Sequence, residues 1–308
     1  MRMLLGAVLL AAVACVEAAP RTPQQASAPA SPVSPASPVD ANRAFAHLKE
    51  LVGFGPRPAG SAANKRTRDY IAREMKALGL EAREQAFLAD TRYGDVSMAN
   101  VIVTLRGTRP ERIIIGSHFD TKPEKEFEFV GANDGGSSTA LLIELARVLK
   151  DQPREFTYEL VFFDGEEAWG DWSTGNTFGS RHYVDAARTA GTLTGVKAMI
   201  LLDMVGEKNI RLRKDTSSTT WLNELFWQTA WKLGHRAAFT DDYTAVDDDH
   251  IPFINAGIPA IDLIDLDYAA WHTAGDTLDK IDPRSMKIVG DVVVAALPAV
   301  ERRLKTKD

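Results

Sequence analysis

The chain has 308 residues, 45% of them hydrophobic and 25% charged, with a formal net charge of −6. That composition is ordinary for a soluble globular protein, and the length allows one large domain or two small ones. The acidic balance and the lack of a long basic run set nucleic-acid binding aside.

Arg2 precedes an apolar stretch, Met3 to Val16, that is too short to span a bilayer and fits a secretory leader. Ala12-Val13-Ala14 forms a small-x-small cleavage pattern, followed directly by Cys15, the single cysteine. Two readings stand side by side. One is a lipoprotein-type leader with a lipid anchor at Cys15. The other is a plain signal peptide cut near Ala18 or Ala19. The leader falls within residues 1–19, ending before Cys15 in the first reading and near Ala18 or Ala19 in the second, and both predict export, either to the periplasm or cell envelope or as a secreted protein. No internal disulfide is available to the mature chain. Residues 20–40, rich in Pro, Ala and Ser with almost no charge, read as an extended tether.

The folded part, residues 41–308, opens with a helix capped by Asp40 and running to about Val52, with Phe45, Leu48, Leu51 and Val52 on one face. A second helix, about Ser61 to Leu78, ends at Gly79. Strands are predicted at about 82–88, 97–105 and 113–115. A helix follows from about Ser138 to Lys150, then a buried strand, Leu160 to Phe163. Next come a helix near 177–190, a strand from Ala198 to Leu202 and a helix from about Ser217 to Leu233. The strand Ala260 to Ile264 and a closing helix from about Arg284 to Leu304 complete the set. Strands alternating with helices predict an α/β fold: a three-layer α-β-α sandwich around a twisted, mostly parallel mixed sheet, in one domain.

Open α/β sheets place their ligand site at the C-terminal ends of strands, and chemistry-capable residues gather there. Asp164, Glu166 and Glu167 follow the strand ending at Phe163, with Trp169 and Trp172 close behind. His118 and Asp120 follow Ile113-Ile114-Ile115, Asp203 ends the strand Ala198–Leu202, and Asp134 sits in a glycine-rich turn. His272 lies in Trp271-His272-Thr273-Ala274-Gly275-Asp276-Thr277. Taken singly, an Asp at a strand end is a turn residue and a lone His a structural one. Together, two histidines and three carboxylates on one sheet edge suit Zn²⁺ with mixed nitrogen and oxygen donors. Asp120 is expected to accept the imidazole proton of His118. Of the adjacent glutamates, one is expected on a metal and its neighbour beside it as a proton carrier.

The order His-x-Asp, Gly-Ala-Asn-Asp, Asp-Gly-Glu-Glu, Leu-Leu-Asp-Met and Trp-His-Thr-x-x-Asp-Thr resembles the zinc aminopeptidase and glutaminyl cyclase superfamily, over about residues 43–304. In its dizinc aminopeptidase branch the resemblance implies that His118, Asp134, Glu167, Asp203 and His272 all bind metal. In the animal-type glutaminyl cyclase branch it implies one zinc on Asp134, Glu167 and His272, with Glu166 as acid–base and Asp203 as a hydrogen-bonding residue. Trp172 five residues after Glu167, Gly179-Ser180-Arg181-His182 and Asp248-Asp249-His250-Ile251-Pro252-Phe253 are similar to the cyclase branch. Asp248 would then be an acidic pocket residue, and Trp172 and Trp271 the aromatic walls. Asp247 and Asp262 depart from that pattern, standing where cyclases often carry Gln and where animal cyclases carry His. The implied activity is cyclisation of N-terminal glutamine on peptides and proteins. The alternatives are an aminopeptidase and a non-catalytic binding ectodomain that keeps the fold. A monomer is expected by default, because no long amphipathic surplus or heptad is visible.

Overall fold

Alternation along the strands decides the layering. In β3 (Arg112–His118), Ile113 and Ile115 join one apolar cluster and Ile114 joins another. The same split runs through β4 (Thr157–Phe163), with Leu160 and Phe162 against Val161 and Phe163, and through β5 (Val196–Asp203), with Ala198, Ile200 and Leu202 against Met199 and Leu201. Since successive side chains point to opposite faces, a sheet apolar on both faces must be covered on both. The molecule is described here as a computed structural model over residues 38–306. The predicted leader and residues 20–37 of the predicted tether lie outside the described residues.

The sheet has the order β1-β2-β4-β3-β5-β8, with β1 spanning Ala82–Thr91, β2 Gly94–Leu105 and β8 Ala260–Ile264. β4, β3, β5 and β8 run parallel to one another, and β2 and β1 are added antiparallel. One cluster takes in α1 (Ala41–Gly53), α2 (Ala62–Ala77), α3 (Ser138–Leu149), α5 (Thr220–Lys232) and α7 (Pro283–Lys305). The opposite face carries α4 (Phe178–Thr189) and α6 (Ile251–Asn255). This is the expected three-layer sandwich, and the expected elements fall where the patterns put them. Asp40 caps α1 through the N–H groups of Asn42 and Arg43. At the end of α2, Gly79 in a left-handed conformation lets Leu80 N–H reach Met75 O at 2.9 Å.

Three elements lie outside the sequence expectation. β6 (Leu212–Asp215) and β7 (Phe239–Thr244) form a separate two-stranded parallel sheet, and α6 is a five-residue helix after the Asp-Asp-His run. Residues 38–40, assigned to the tether from sequence, are seated on the domain: Val39 is buried, and Asp40 N–H donates to Glu144 Oε1 at 2.8 Å. No helix among the described residues is long and apolar enough to cross a membrane.

Candidate metal centre and active site

The parallel strands deliver their C-terminal ends side by side. β3 ends on His118, β4 leads into Glu166 and Glu167, and β5 ends on Asp203. The loop after β8 brings His272, and the turn before α3 brings Asp134. All are buried except His272, which is partly open.

Asp134 sits at a kink. Gly131 and Gly135 on either side of it have φ of +51° and +71°, and a Cβ on Gly135 would lie 2.7 Å from Asp120 O. Only glycine combines that conformation with so close an approach. Asp276 fixes the turn from 142 residues away, accepting Asn133 N–H at 2.8 Å and Asp134 N–H at 3.0 Å, while Tyr268 donates its hydroxyl to the same carboxylate. Arg57, fully buried, donates to the carbonyls of Phe119, Val130 and Gly131 and ties the approach to this turn to the end of β3.

Two three-residue groups share Asp134. In the first, His272 Nε2 lies 3.3 Å from Asp134 Oδ2 and 3.4 Å from Glu167 Oε2. Ligand atoms on a tetrahedral zinc with bonds of about 2.0–2.2 Å stand about 3.4 Å apart, so the spacing fits. Asp134 Oδ2 and both Glu167 oxygens are buried without a hydrogen-bond partner, a costly arrangement unless a cation satisfies them. In the second group, His118 Nε2 lies 3.1 Å from Asp203 Oδ1 and 3.2 Å from Asp134 Oδ1. Asp203 Oδ1 also accepts Met204 N–H at 2.8 Å. Burial opposes charge on His118, but Asp203, Glu166, Asp120 and Asp134 raise its affinity for a proton well above the ordinary value.

Asp120 differs from expectation. It stands 3.6 Å from His118 Nδ1, and its two oxygens accept the backbone N–H groups of Glu166 and Glu167 at 3.1 and 3.3 Å. It holds the double-glutamate turn, whose two N–H donors lie nearer to it, and from 3.6 Å it still favours a proton on His118. Asp164 points away from the site, accepting from Asn64 Nδ2 and Ala99 N–H. Glu166 lines the pocket, with Oε2 3.6 Å from His118 Nδ1. Burial, then Asp248 and Glu167, push its carboxyl well above the usual range, against the pull of His118. Burial and Asp203 likewise push Asp248 up, to about 7.

These groups open into a cavity of about 330 Å³ lined by Glu166, Glu167, Asp203, Asp248, Trp172 and Trp271, within the size range of small-ligand sites. Trp172 Nε1 donates to Asp247 Oδ2 at 3.0 Å, and Trp271 stacks on His272 with ring centroids 4.3 Å apart. Trp271 is 44% exposed, too open for a core residue. The structure thus gathers His118, Asp134, Glu166, Glu167, Asp203, Asp248 and His272, with Trp172 and Trp271 on the wall, and leaves Asp164 and Trp169 outside the pocket lining. Sequence reasoning missed the supporting roles of Arg57 and Asp276; for Asp276 the signal was its place four residues after His272.

The profile of peptidase family M28 matches residues 100–297, well over half of the chain. The chain belongs to peptidase family M28. Among solved structures, this M28 protein is similar to an Acidobacteriales bacterium glutaminyl cyclase, 36% identical, over 91% of this chain and 99% of that one, with a TM-score of 0.82. It is also similar to a leucine aminopeptidase precursor from Bacteroides thetaiotaomicron, 28% identical, over 84% and 97% of the two chains, with a TM-score of 0.77. Among curated proteins, the glutaminyl-peptide cyclotransferase-like protein of Mus musculus is 28% identical over 274 residues, 78% of this chain and 71% of that protein.

Proposed function

We propose that this protein is a zinc-dependent glutaminyl-peptide cyclotransferase that converts the N-terminal glutamine of peptides to pyroglutamate with release of ammonia. The observation that carries the reading is the division between adjacent glutamates. Glu167 turns its unpartnered oxygens to the Asp134–His272 side, while Glu166 faces the pocket beside His118 and Asp248. The glutaminyl cyclase relatives support it.

Zinc held by Asp134, Glu167 and His272 would act as a Lewis acid toward the γ-carboxamide oxygen. The residues of the chain do the rest. Glu166 takes a proton from the α-amine as its nitrogen bonds to the side-chain carbonyl carbon, and returns it to the departing nitrogen, which leaves as ammonia. Its raised affinity for protons suits a group that must hold one between the two steps. Asp203 and Asp248 accept hydrogen bonds from the amine and the leaving group. Trp172 and Trp271 keep the side chain folded back and exclude water, so ring closure outruns hydrolysis.

A second reading, a dizinc aminopeptidase, draws on the His118, Asp134 and Asp203 group and on the aminopeptidase-named relative. Against it, His118 Nε2 is engaged by Asp203 at hydrogen-bond distance, while the unpartnered carboxylate oxygens belong to the other group. The reading includes export under the leader at residues 1–19, with Cys15 as the lipid-anchor position if the leader is of lipoprotein type. Residues 41–308 form the catalytic domain, acting as a monomer on peptide and protein N-termini. The test is product analysis with zinc-loaded protein on a peptide beginning Gln-Gly and one beginning Leu-Gly. Loss of ammonia from the first with the second intact is expected. Release of free leucine or glutamine would overturn the cyclase reading in favour of the aminopeptidase.

A further inference from the structure

Asp215 ends β6, fully buried, and does not line the pocket, yet the pocket wall hangs on it. Its Oδ1 accepts the N–H groups of Ser217 and Val246, each at 3.0 Å. Its Oδ2 accepts the Ser218 hydroxyl at 2.7 Å and faces His250 Nε2 at 3.0 Å. Burial alone would disfavour its charge; His250, Ser218 and Ser217 more than offset that and hold it below the ordinary carboxylate range.

Val246 and His250 bracket three consecutive acids: Asp247, Asp248 and Asp249. Asp247 accepts Trp172 Nε1, Asp248 lines the cavity, and Asp249 Oδ1 accepts the Ser180 hydroxyl at 2.5 Å. Asp248 and Asp249 are buried, and burial and then Asp248 push the Asp249 carboxyl well above the usual range, so the segment takes its position from hydrogen bonds rather than from charge. A segment of this kind needs a hold at each end, and one carboxylate supplies both.

We propose that Asp215 is a positioning residue for catalysis: by gripping Val246 and His250 it fixes the 247–249 segment, and with it Asp248 and the Trp172 wall, against the reacting groups. This rests on the reading of Asp248 as a residue that meets the substrate. Asp215→Asn tests it selectively. The amide oxygen still serves Ser217 and Val246, while an NH₂ group replaces the oxygen that faces Ser218 and His250. Displacement of a reacting group by about 1 Å costs about 100-fold in rate, so kcat falls by about that factor, while KM moves far less.

The comparator is Glu301→Gln. That buried carboxylate also serves several donors, Glu155 N–H, Phe156 N–H and the Tyr158 hydroxyl, but it sits by the N-terminal end of β4, opposite the site. Both variants are assayed in the full-length zinc-loaded protein, at a temperature where each is fully folded. A kcat loss in Asp215→Asn well beyond that in Glu301→Gln is expected; an equal or smaller loss overturns the proposal. If Asp215→Asn does not fold, His250→Asn, which removes the other half of the contact, is measured against the same comparator and decides in the same way. If the parent protein releases free amino acids instead of ammonia, the cyclase reading falls. The same kcat ratio on that reaction still decides the role of Asp215.

Discussion

Glu166→Gln separates turnover from everything else the site does. The substitution keeps the shape of the side chain, and the Glu166 N–H still donates to Asp120 Oδ1, so the turn is retained. Glu167, Asp134 and His272 keep their atoms, so zinc stays bound. What is lost is the ability to take up and return a proton. A positioned acid–base group contributes about 10²- to 10⁴-fold, or about 3–5 kcal/mol of barrier at about 1.4 kcal/mol per tenfold. Stability moves the other way. Burial, then Asp248 and Glu167, raise the carboxyl of Glu166 in the folded state. The folded protein therefore binds that proton more tightly than the unfolded chain, and stability falls as pH rises above the ordinary glutamate value. Glutamine removes this term, so in the zinc-free protein at pH 8 the variant melts no lower than the parent. The assay pairs kcat from ammonia release with zinc content by atomic emission and a thermal melt. A kcat within tenfold of the parent, or zinc lost in parallel with activity, would refute the assigned role.

Three further outcomes are expected. Chelation leaves three buried carboxylate oxygens with no partner, so the stripped protein melts lower, and one equivalent of zinc restores both melting point and turnover; a requirement for two equivalents would implicate His118 and Asp203 as ligands. Gly179→Ala places a Cβ 2.4 Å from Asn100 Oδ1 and 2.5 Å from Asp164 O, which forces the strand end that precedes Glu166 to shift; stability falls by about 1–3 kcal/mol and kcat drops with no change of charge, as melts and steady-state kinetics will show. Burial and then Asp265 raise Glu207 to about 7 from an ordinary 4.5, so Glu207 makes the native state lose stability as pH climbs from 4.5 to 7; Glu207→Gln flattens that slope in melts run across the interval.

The sheet is legible in the sequence because its strands are apolar and short and their punctuation is strong: Asp-Gly after Phe163, Asp203 after Leu202. The candidate ligand set is legible because its members follow such strands or sit among glycines. β6 and β7 are not, since Leu-Arg-Lys-Asp and Phe-Thr-Asp-Asp-Tyr-Thr alternate weakly and gain their register from each other. The job of Asp120 is easily misjudged because the sequence puts it two residues from His118. Only the fold shows that the Glu166–Glu167 turn offers it two N–H donors. Asp215 has no signature in the sequence at all, because its partners Val246 and His250 lie far along the chain, beyond α5 and β7.

The hold that Asp276 has on the backbone of Asn133 and Asp134 also sets an order of events in time. The residues that complete the candidate metal triad and brace its central carboxylate lie at 272 and 276, while Asp134 has been part of the chain since less than half of it was made. A nascent chain that has laid down β1 to β5 still lacks α5, β8 and α7, so it has neither a finished core nor a finished metal centre. A metal held by Asp134, Glu167 and His272 would therefore report completion: it could be captured only after the last strand and the loop after it have docked, and a single cut in that loop would disarm the site.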